Sequence, residues 1–236
     1  LHHLNARKNT RRLLANPVRI CYEMTMKSTD NKKSIILASK SPRRKRLLEQ
    51  AGIKFSIIHS RVDEEKIHAR TPELCAMALA EAKAGAVAQK HPDAWVIGAD
   101  SIVVIENMIL NKPVSREHAA EMLKSLSGKT HQVITGYSIM HNKKNLKKTE
   151  ACSTEVSFKE LSSNEINWYL KTPEPWDKAG AYAIQGIAAF MIKSINGSYT
   201  NVVGLPVCEV VEYLTRQGVI DRDTEKINAS RCFSGI

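Results

Sequence analysis

The chain has 236 residues, of which 43% are hydrophobic and 25% charged, and a formal net charge of +11. That length supports one large domain or two small lobes with a real core, and the composition is ordinary for a soluble globular enzyme. No apolar run approaches the roughly 18 residues needed to span a bilayer, so no membrane association is expected.

The charge is unevenly spread: the residues before Ser34 hold eight Lys and Arg against Glu23 and Asp30, more than half of the net excess. Residues 1–33 read as a basic leader, disordered, derived from cloning or an upstream extension, with Met24 or Met26 as a natural start. The leader lacks the apolar core of a secretory signal, while its Arg-rich, acid-poor character leaves an organellar transit peptide open. Residues 34–218 read as the folded domain and 219–236 as a polar tail. The five cysteines, Cys21, Cys75, Cys152, Cys208 and Cys232, are odd in number and form no C-x-x-C pair. Such usage fits a reducing cytoplasm and argues against zinc.

In chain order, residues 34–38 (S-I-I-L-A) read as a short buried strand that opens through Ser39 into a helix. Ser41 followed by Pro42 is a helix-start signature, since a serine oxygen caps free N–H groups and proline suits the first helical position. The first turn then carries Arg43, Arg44, Lys45 and Arg46 at the end where the helix dipole is already positive, which is locally unfavourable. A bound phosphate or polyphosphate gives such a helix start a purpose. The loop lacks the glycines of a P-loop or a dinucleotide fingerprint.

Residues 54–58 read as a second strand, and residues 62–65 as an acidic loop. A long helix runs from Thr71-Pro72 to about Gln89, with Leu74, Met77, Ala78, Leu79, Ala82, Ala86 and Val87 at helical spacing. Residues 95–100 form a buried strand that continues to Ile105 and turns at Glu106-Asn107 into a hairpin over 108–110. A capped helix spans 115–126. Two antiparallel strands, 131–140 and 151–158, flank a basic turn over 142–148, which has no interleaved aromatics and so argues against nucleic acid. A short helix over 162–170, a proline-rich loop, a strand over 190–195 and a final helix over 201–217 complete the series. The pattern predicts an α/β fold with a mixed sheet.

Asp100 closes the apolar part of its strand in G-A-D-S, where a carboxylate is costly unless solvated or engaged by a metal or a cation. Asp63 and Glu64 supply further carboxylates; Lys83 lies on the long helix and Lys112 in N-K-P. Carboxylates that hold a hard cation, with lysines that hold phosphate oxygens, form the kit for metal-assisted cleavage of a phosphoric anhydride. Residues 174–186 (E-P-W-D-K-A-G-A-Y-A-I-Q-G) read as a ligand-facing loop, with Gln185 able to donate to and accept from a nucleobase edge.

Together L-A-S-K-S-P-R-R (37–44), G-A-D-S (98–101), N-K-P (111–113), L-S-G-K-T-H-Q-V-I-T-G (126–136), D-K-A-G-A-Y-A-I-Q-G (177–186) and I-N-G-S-Y-T-N-V-V-G-L-P (195–206) resemble the Maf family of nucleoside triphosphate pyrophosphatases. The resemblance implies an elongated mixed sheet flanked by helices, two lobes around a deep cleft, as in inosine triphosphate pyrophosphatases. It implies hydrolysis of nucleoside triphosphates to monophosphate and pyrophosphate with Mg or Mn. By motif, Asp100 is the expected proton acceptor, with Glu64 assisting metal or water, so that Glu64 and Asp100 are the expected metal ligands. Lys83 and Lys112 are expected on phosphate, and Ser39, Arg43 and Arg44 along the triphosphate path. Arg43, Ser101 and Gln185 match the branch acting on dTTP, UTP and modified pyrimidine nucleotides; Ser101 stands where threonine is commoner. The alternatives are a 7-methyl-GTP or other non-standard nucleotide pyrophosphatase, or a nucleotide- or nucleic-acid-binding regulator of septum formation. A homodimer is compatible with the resemblance.

Overall fold

The computed structural model describes residues 33–221. The expected leader, except Lys33, and the expected tail beyond Asp221 lie outside the described residues, as do Cys21 and Cys232.

Among the described residues seven strands form: β1 (Ile35–Leu37), β2 (Ser56–Ile57), β3 (Trp95–Ile105), β4 (Met108–Leu110), β5 (Thr130–His141), β6 (Leu146–Phe158) and β7 (Ile192–Asn196). They form one mixed sheet in the order β2-β1-β3-β5-β6-β7, with β4 also on β3. The β2–β1 and β1–β3 pairs are parallel and the remainder antiparallel. The helices are α1 (Pro42–Gln50), α2 (Pro72–Ala88), α3 (Arg116–Leu126), α4 (Ser163–Tyr169), α5 (Tyr199–Val203) and α6 (Val207–Arg216).

The two long central strands organise the molecule. Side chains alternate across a strand, so Trp95, Ile97, Ala99, Ser101, Val103 and Ile105 share one face of β3. Trp95, Ile97 and Ala99 pack with Leu47 and Leu48 of α1 and Val210 and Leu214 of α6. Val103 and Ile105 pack in a second core with Met122 and Leu123 of α3 and Ile166 and Tyr169 of α4. Ser101 stands between these cores. The other face receives α2, which packs closely on β3 and β5 because Gly98 and Gly136 have no side chain. A Cβ on Gly98 would lie 2.5 Å from the Ala80 carbonyl oxygen, and one on Gly136 would lie 2.2 Å from that of Ala76.

This close packing corrects the expected face of α2. Its buried stripe is Ala76, Leu79, Ala80, Lys83, Ala84, Val87 and Ala88, whereas Leu74, counted as a core position, is 48% exposed. The small side chains are the ones that fit against a glycine-bearing sheet. The expected final helix also divides: α5 ends at Val203, and Gly204, at φ 133°, leads through Leu205 to Pro206 before α6. Proline has no N–H to give and disfavours helix in the residue before it. Residues 190–191 belong to a 3-10 turn (Ile187–Met191) rather than to β7. The basic turn is shorter than expected, closing at Asn145 with φ 53°, so Leu146 already pairs with His141. The second strand is only Ser56–Ile57, and part of the acidic loop winds into a 3-10 turn, Glu64–Lys66. Val219 and Ile220 pack against the core beside α6.

One feature of the sheet creates the cleft. β5 pairs along nearly all of β3, so β1 and β4 share the opposite edge, β1 against residues 95–97 and β4 against 103–105. Between them, among the described residues, that edge of β3 has no strand partner. Asp100 and Ser101 occupy the gap and are the two residues of β3 that are not fully buried. Asp100 thus lies inside the continuous strand β3, paired with Gly136 of β5, where the neighbours on the other edge leave it accessible.

Candidate active site

A cleft of about 1220 Å³ opens at the gap. α1 and the loop before it contribute Arg43, Arg44 and Ser39; α2 contributes Lys83; the 3-10 turn contributes Glu64. β3 provides Asp100 and Ser101, the segment after β4 provides Lys112, and the 174–186 loop provides Gln185. These nine residues thus line one cavity, whereas Asp63, the other carboxylate of the acidic loop, is not in its lining and pairs with Lys66 at 2.9 Å.

At its centre a lysine joins two carboxylates. Lys83 Nζ lies 2.6 Å from Asp100 Oδ1 and 2.9 Å from Glu64 Oε1. Lys83 is 8% exposed because it belongs to the buried stripe of α2, and a buried ammonium requires such partners. In the structure Lys83, expected on phosphate, meets these two carboxylates. Lys112, by contrast, is exposed on the cleft wall.

The four cations of the first turn of α1 divide by direction. Lys45 and Arg46 are exposed, and Lys45 meets only Glu49, at 3.6 Å. Arg43 and Arg44 are half-buried in the cleft. Arg44 donates to the Gly204 carbonyl (Nε, 2.7 Å), to Ser101 Oγ (Nη2, 3.0 Å) and to Ser39 Oγ (Nη1, 3.4 Å). Burial lowers its pKa and the nearby Asp100 charge opposes that effect; a guanidinium remains charged regardless.

Counting protons fixes the direction of the bonds beyond Arg44. The Thr135 hydroxyl has one hydrogen and donates it to the Asn201 carbonyl, at 3.0 Å. Its 2.8 Å contact with Ser101 Oγ must therefore be donated by Ser101. Ser101 has then spent its proton, and accepts from Arg44. Asn201 is itself held by Nδ2 bonds of 2.9 Å to the Val133 carbonyl and to Thr154 Oγ1.

The 174–186 loop combines buried and exposed residues. Tyr182 is buried, and its hydroxyl lies 2.7 Å from His131 Nε2 inside an edge-to-face cluster with Phe158. Gly180 N donates to the Asn111 carbonyl, at 3.1 Å, linking the loop to the N-K-P segment. Gln185 projects from this anchored loop as an exposed residue of the cleft. Arg43 is affected by the loop as well: burial lowers its pKa, while the charges of Asp177 and Glu174 raise it.

Among the described residues no group of three or more His, Cys, Asp or Glu gathers as a metal cage. Two converging carboxylates nevertheless fit a hard cation of the Mg type, which is usually bound by one or two carboxylates with substrate phosphates and water completing its shell. Lys83 engages one oxygen of each carboxylate, so the donor chemistry of Glu64 and Asp100 is compatible with such an ion.

Thr135, Asn201 and Glu174 were not singled out from the sequence. Thr135 did leave a trace, as a polar residue at a core-facing position of the alternating run Val133, Thr135, Tyr137, Ile139. Asn201 acts on groups remote in sequence and left none, while Glu174 was legible only as the first residue of the ligand-facing loop.

Residues 34–217 match the family model described as Maf-like protein. The chain is 50% identical over 190 residues to the dTTP/UTP pyrophosphatase of Geotalea uraniireducens, covering 80% of this chain and 98% of that one. It is 47% identical over 184 residues to the dTTP/UTP pyrophosphatase of Syntrophus aciditrophicus, covering 78% and 90%. Against that of Bacillus velezensis the identity is 50% over 182 residues, covering 77% and 95%.

Proposed function

Because the chain belongs to the Maf family, we propose that it hydrolyses nucleoside triphosphates, dTTP and UTP above all, to monophosphate and pyrophosphate in a divalent-metal-dependent reaction. The observation that carries this reading is the Lys83 bridge between Glu64 and Asp100 in a cleft that also receives Arg43, Arg44 and Lys112.

In this mechanism the triphosphate lies along the cationic wall, where Lys112 and the Arg44 region neutralise its charge. Glu64 and Asp100 would hold the ion, which when bound would polarise phosphoryl oxygen and acidify water. Lys83 keeps the two carboxylates in register. Asp100 accepts the proton of the water that attacks the α-phosphorus, and the bond between that phosphorus and the bridging oxygen breaks to release pyrophosphate. Arg43 and Gln185 meet the base, Gln185 by offering both a donor and an acceptor. Ser101 contributes indirectly, by fixing Arg44. The cytoplasm is the compartment that supplies such substrates. A homodimer belongs to the same reading, with light scattering after size-exclusion chromatography as its check.

The test is pyrophosphate release from a panel of dTTP, UTP, GTP, ITP and 7-methyl-GTP with Mg or Mn. Wild type is expected to prefer the pyrimidines, and Asp100→Asn to lose about 10²–10⁴-fold in kcat with the fold kept. Orthophosphate as the product, or full activity in that variant, refutes the mechanism; a preference for 7-methyl-GTP moves the chain to the other branch.

A further inference from the structure

Glu174 is a carboxylate committed to the protein backbone. Its Oε2 accepts from Ile187 N at 2.7 Å, and its Oε1 from Ala188 N at 2.9 Å and from the Tyr169 hydroxyl at 3.0 Å. Tyr169 is fully buried in the α3–α4 core and is a fixed point. The two amides open the 3-10 turn Ile187–Met191, where N–H groups lack partners of their own. A charged acceptor for two amides and a hydroxyl is stronger than a neutral one.

Gln185 and Gly186 end the 174–186 loop just before this turn. Gly186 has an extended backbone, with φ at 175°, that any residue adopts. Its lack of a side chain serves another purpose, because a Cβ there would lie 2.0 Å from Glu174 Oε2. The glycine leaves the carboxylate room to reach the amides. The backbone immediately after Gln185 is therefore clamped to the rigid core, while Gln185 itself stays exposed in the cleft. Glu174 also acts through space on Arg43, at the start of α1.

We infer that Glu174, with the space vacated at Gly186, is a positioning residue for base selection: it sets the stance of Gln185 without touching the nucleotide. This inference rests on the functional reading above and deepens it. A clamp of this kind governs which base is accepted, whereas the Asp100 chemistry lies on other elements. Its loss should therefore appear in KM and in discrimination, with turnover kept.

The experiment measures kcat and KM for UTP and for GTP in wild type, Glu174→Gln and Gly186→Ala, with circular dichroism to confirm folding. The glutamine variant keeps one acceptor oxygen and turns an NH2 toward donors; the alanine variant displaces the carboxylate while leaving Glu174 in place. Both are expected to lower the UTP-to-GTP ratio of kcat/KM about tenfold, through KM for UTP, with kcat for UTP within about twofold of wild type. A ratio unchanged in both variants, an equal loss on both nucleotides through kcat, or a loss in Glu174→Gln that Gly186→Ala does not reproduce would each overturn the inference. If wild type releases pyrophosphate from no nucleotide, the functional reading has failed by itself. Hydrogen exchange at Ile187 and Ala188 then decides the clamp: exchange at least tenfold faster in Glu174→Gln supports it, and unchanged exchange refutes it.

Discussion

His131 is buried at 2% exposure, with Nδ1 lacking a hydrogen-bond partner among the described residues and Nε2 against the Tyr182 hydroxyl, and its burial lowers its pKa to about 4. It is therefore neutral in the folded protein at pH 7. An unfolded chain titrates such a group near 6.5, so between about 6.5 and 4 the unfolded state binds the extra proton. The stability due to its neutral burial is complete above about pH 6.5 and is lost as pH falls toward 4, by an amount on the order of 3 kcal/mol. Urea unfolding from pH 7 to 4.5 is expected to show this slope in wild type and a shallower one in His131→Gln. Equal slopes in the two proteins would refute the assignment. Because Tyr182 anchors the Gln185 loop, acid should disturb that loop early. Little of this was legible beforehand: a histidine in a strand reads the same whether its ring is solvated or enclosed, and the partner that decides it is 51 residues away.

At the scale of elements, local chemistry was readable and non-local pairing was not. The start of α1 was legible because a serine cap and a first-position proline act on neighbouring residues, and Ser41 Oγ does accept from Arg44 N, at 3.4 Å. The division of its cations was partly legible, since residues about 100° apart on a helix cannot all face one ligand. The buried face of α2 was misread because helical spacing in an alanine-rich segment favours several faces, and the sheet glycines that select one lie on other strands. Lys83 is informative for that reason, as a lysine inside the stripe that packs on β3. A prediction follows from this contact. Gly136→Ala places a methyl 2.2 Å from the Ala76 backbone, which must move α2 away from the sheet. A stability loss of about 1–3 kcal/mol is expected. Since α2 carries Lys83, kcat should fall more than the folded fraction accounts for. Urea melts and initial rates on one sample check this, and a folded variant with wild-type kcat would show that the register of α2 does not matter to the chemistry.

At the scale of the molecule, the gap between β1 and β4 explains why the candidate site lies where it does. No single-sequence pattern announces it, because β3 reads as one continuous strand, and the interruption belongs to its neighbours. The two long central strands carry both cores, β3 and β5 running through the α1–α6 cluster and the α3–α4 cluster alike. Unfolding one core without the other would leave half of each long strand unpaired, so a single cooperative transition is expected. Leu214→Ala in one core and Met122→Ala in the other should each lower that one transition by about 2–5 kcal/mol, with no intermediate. The cleft is lined from both sides, by Arg43 and Arg44 of α1 and by Lys112 and Gln185 of the opposite elements, so on the proposed reading a non-hydrolysable UTP analogue would bridge them. At about 100 times its Kd it should therefore add about 2.7 kcal/mol to wild type and to both variants equally. Two resolved transitions in either variant, or ligand stabilisation confined to one of them, would show that the cleft separates independent folding units. A single transition that shifts with ligand would instead make the nucleotide a bridge across one cooperative fold, with the gap in β3 as the place where that bridge meets the sheet.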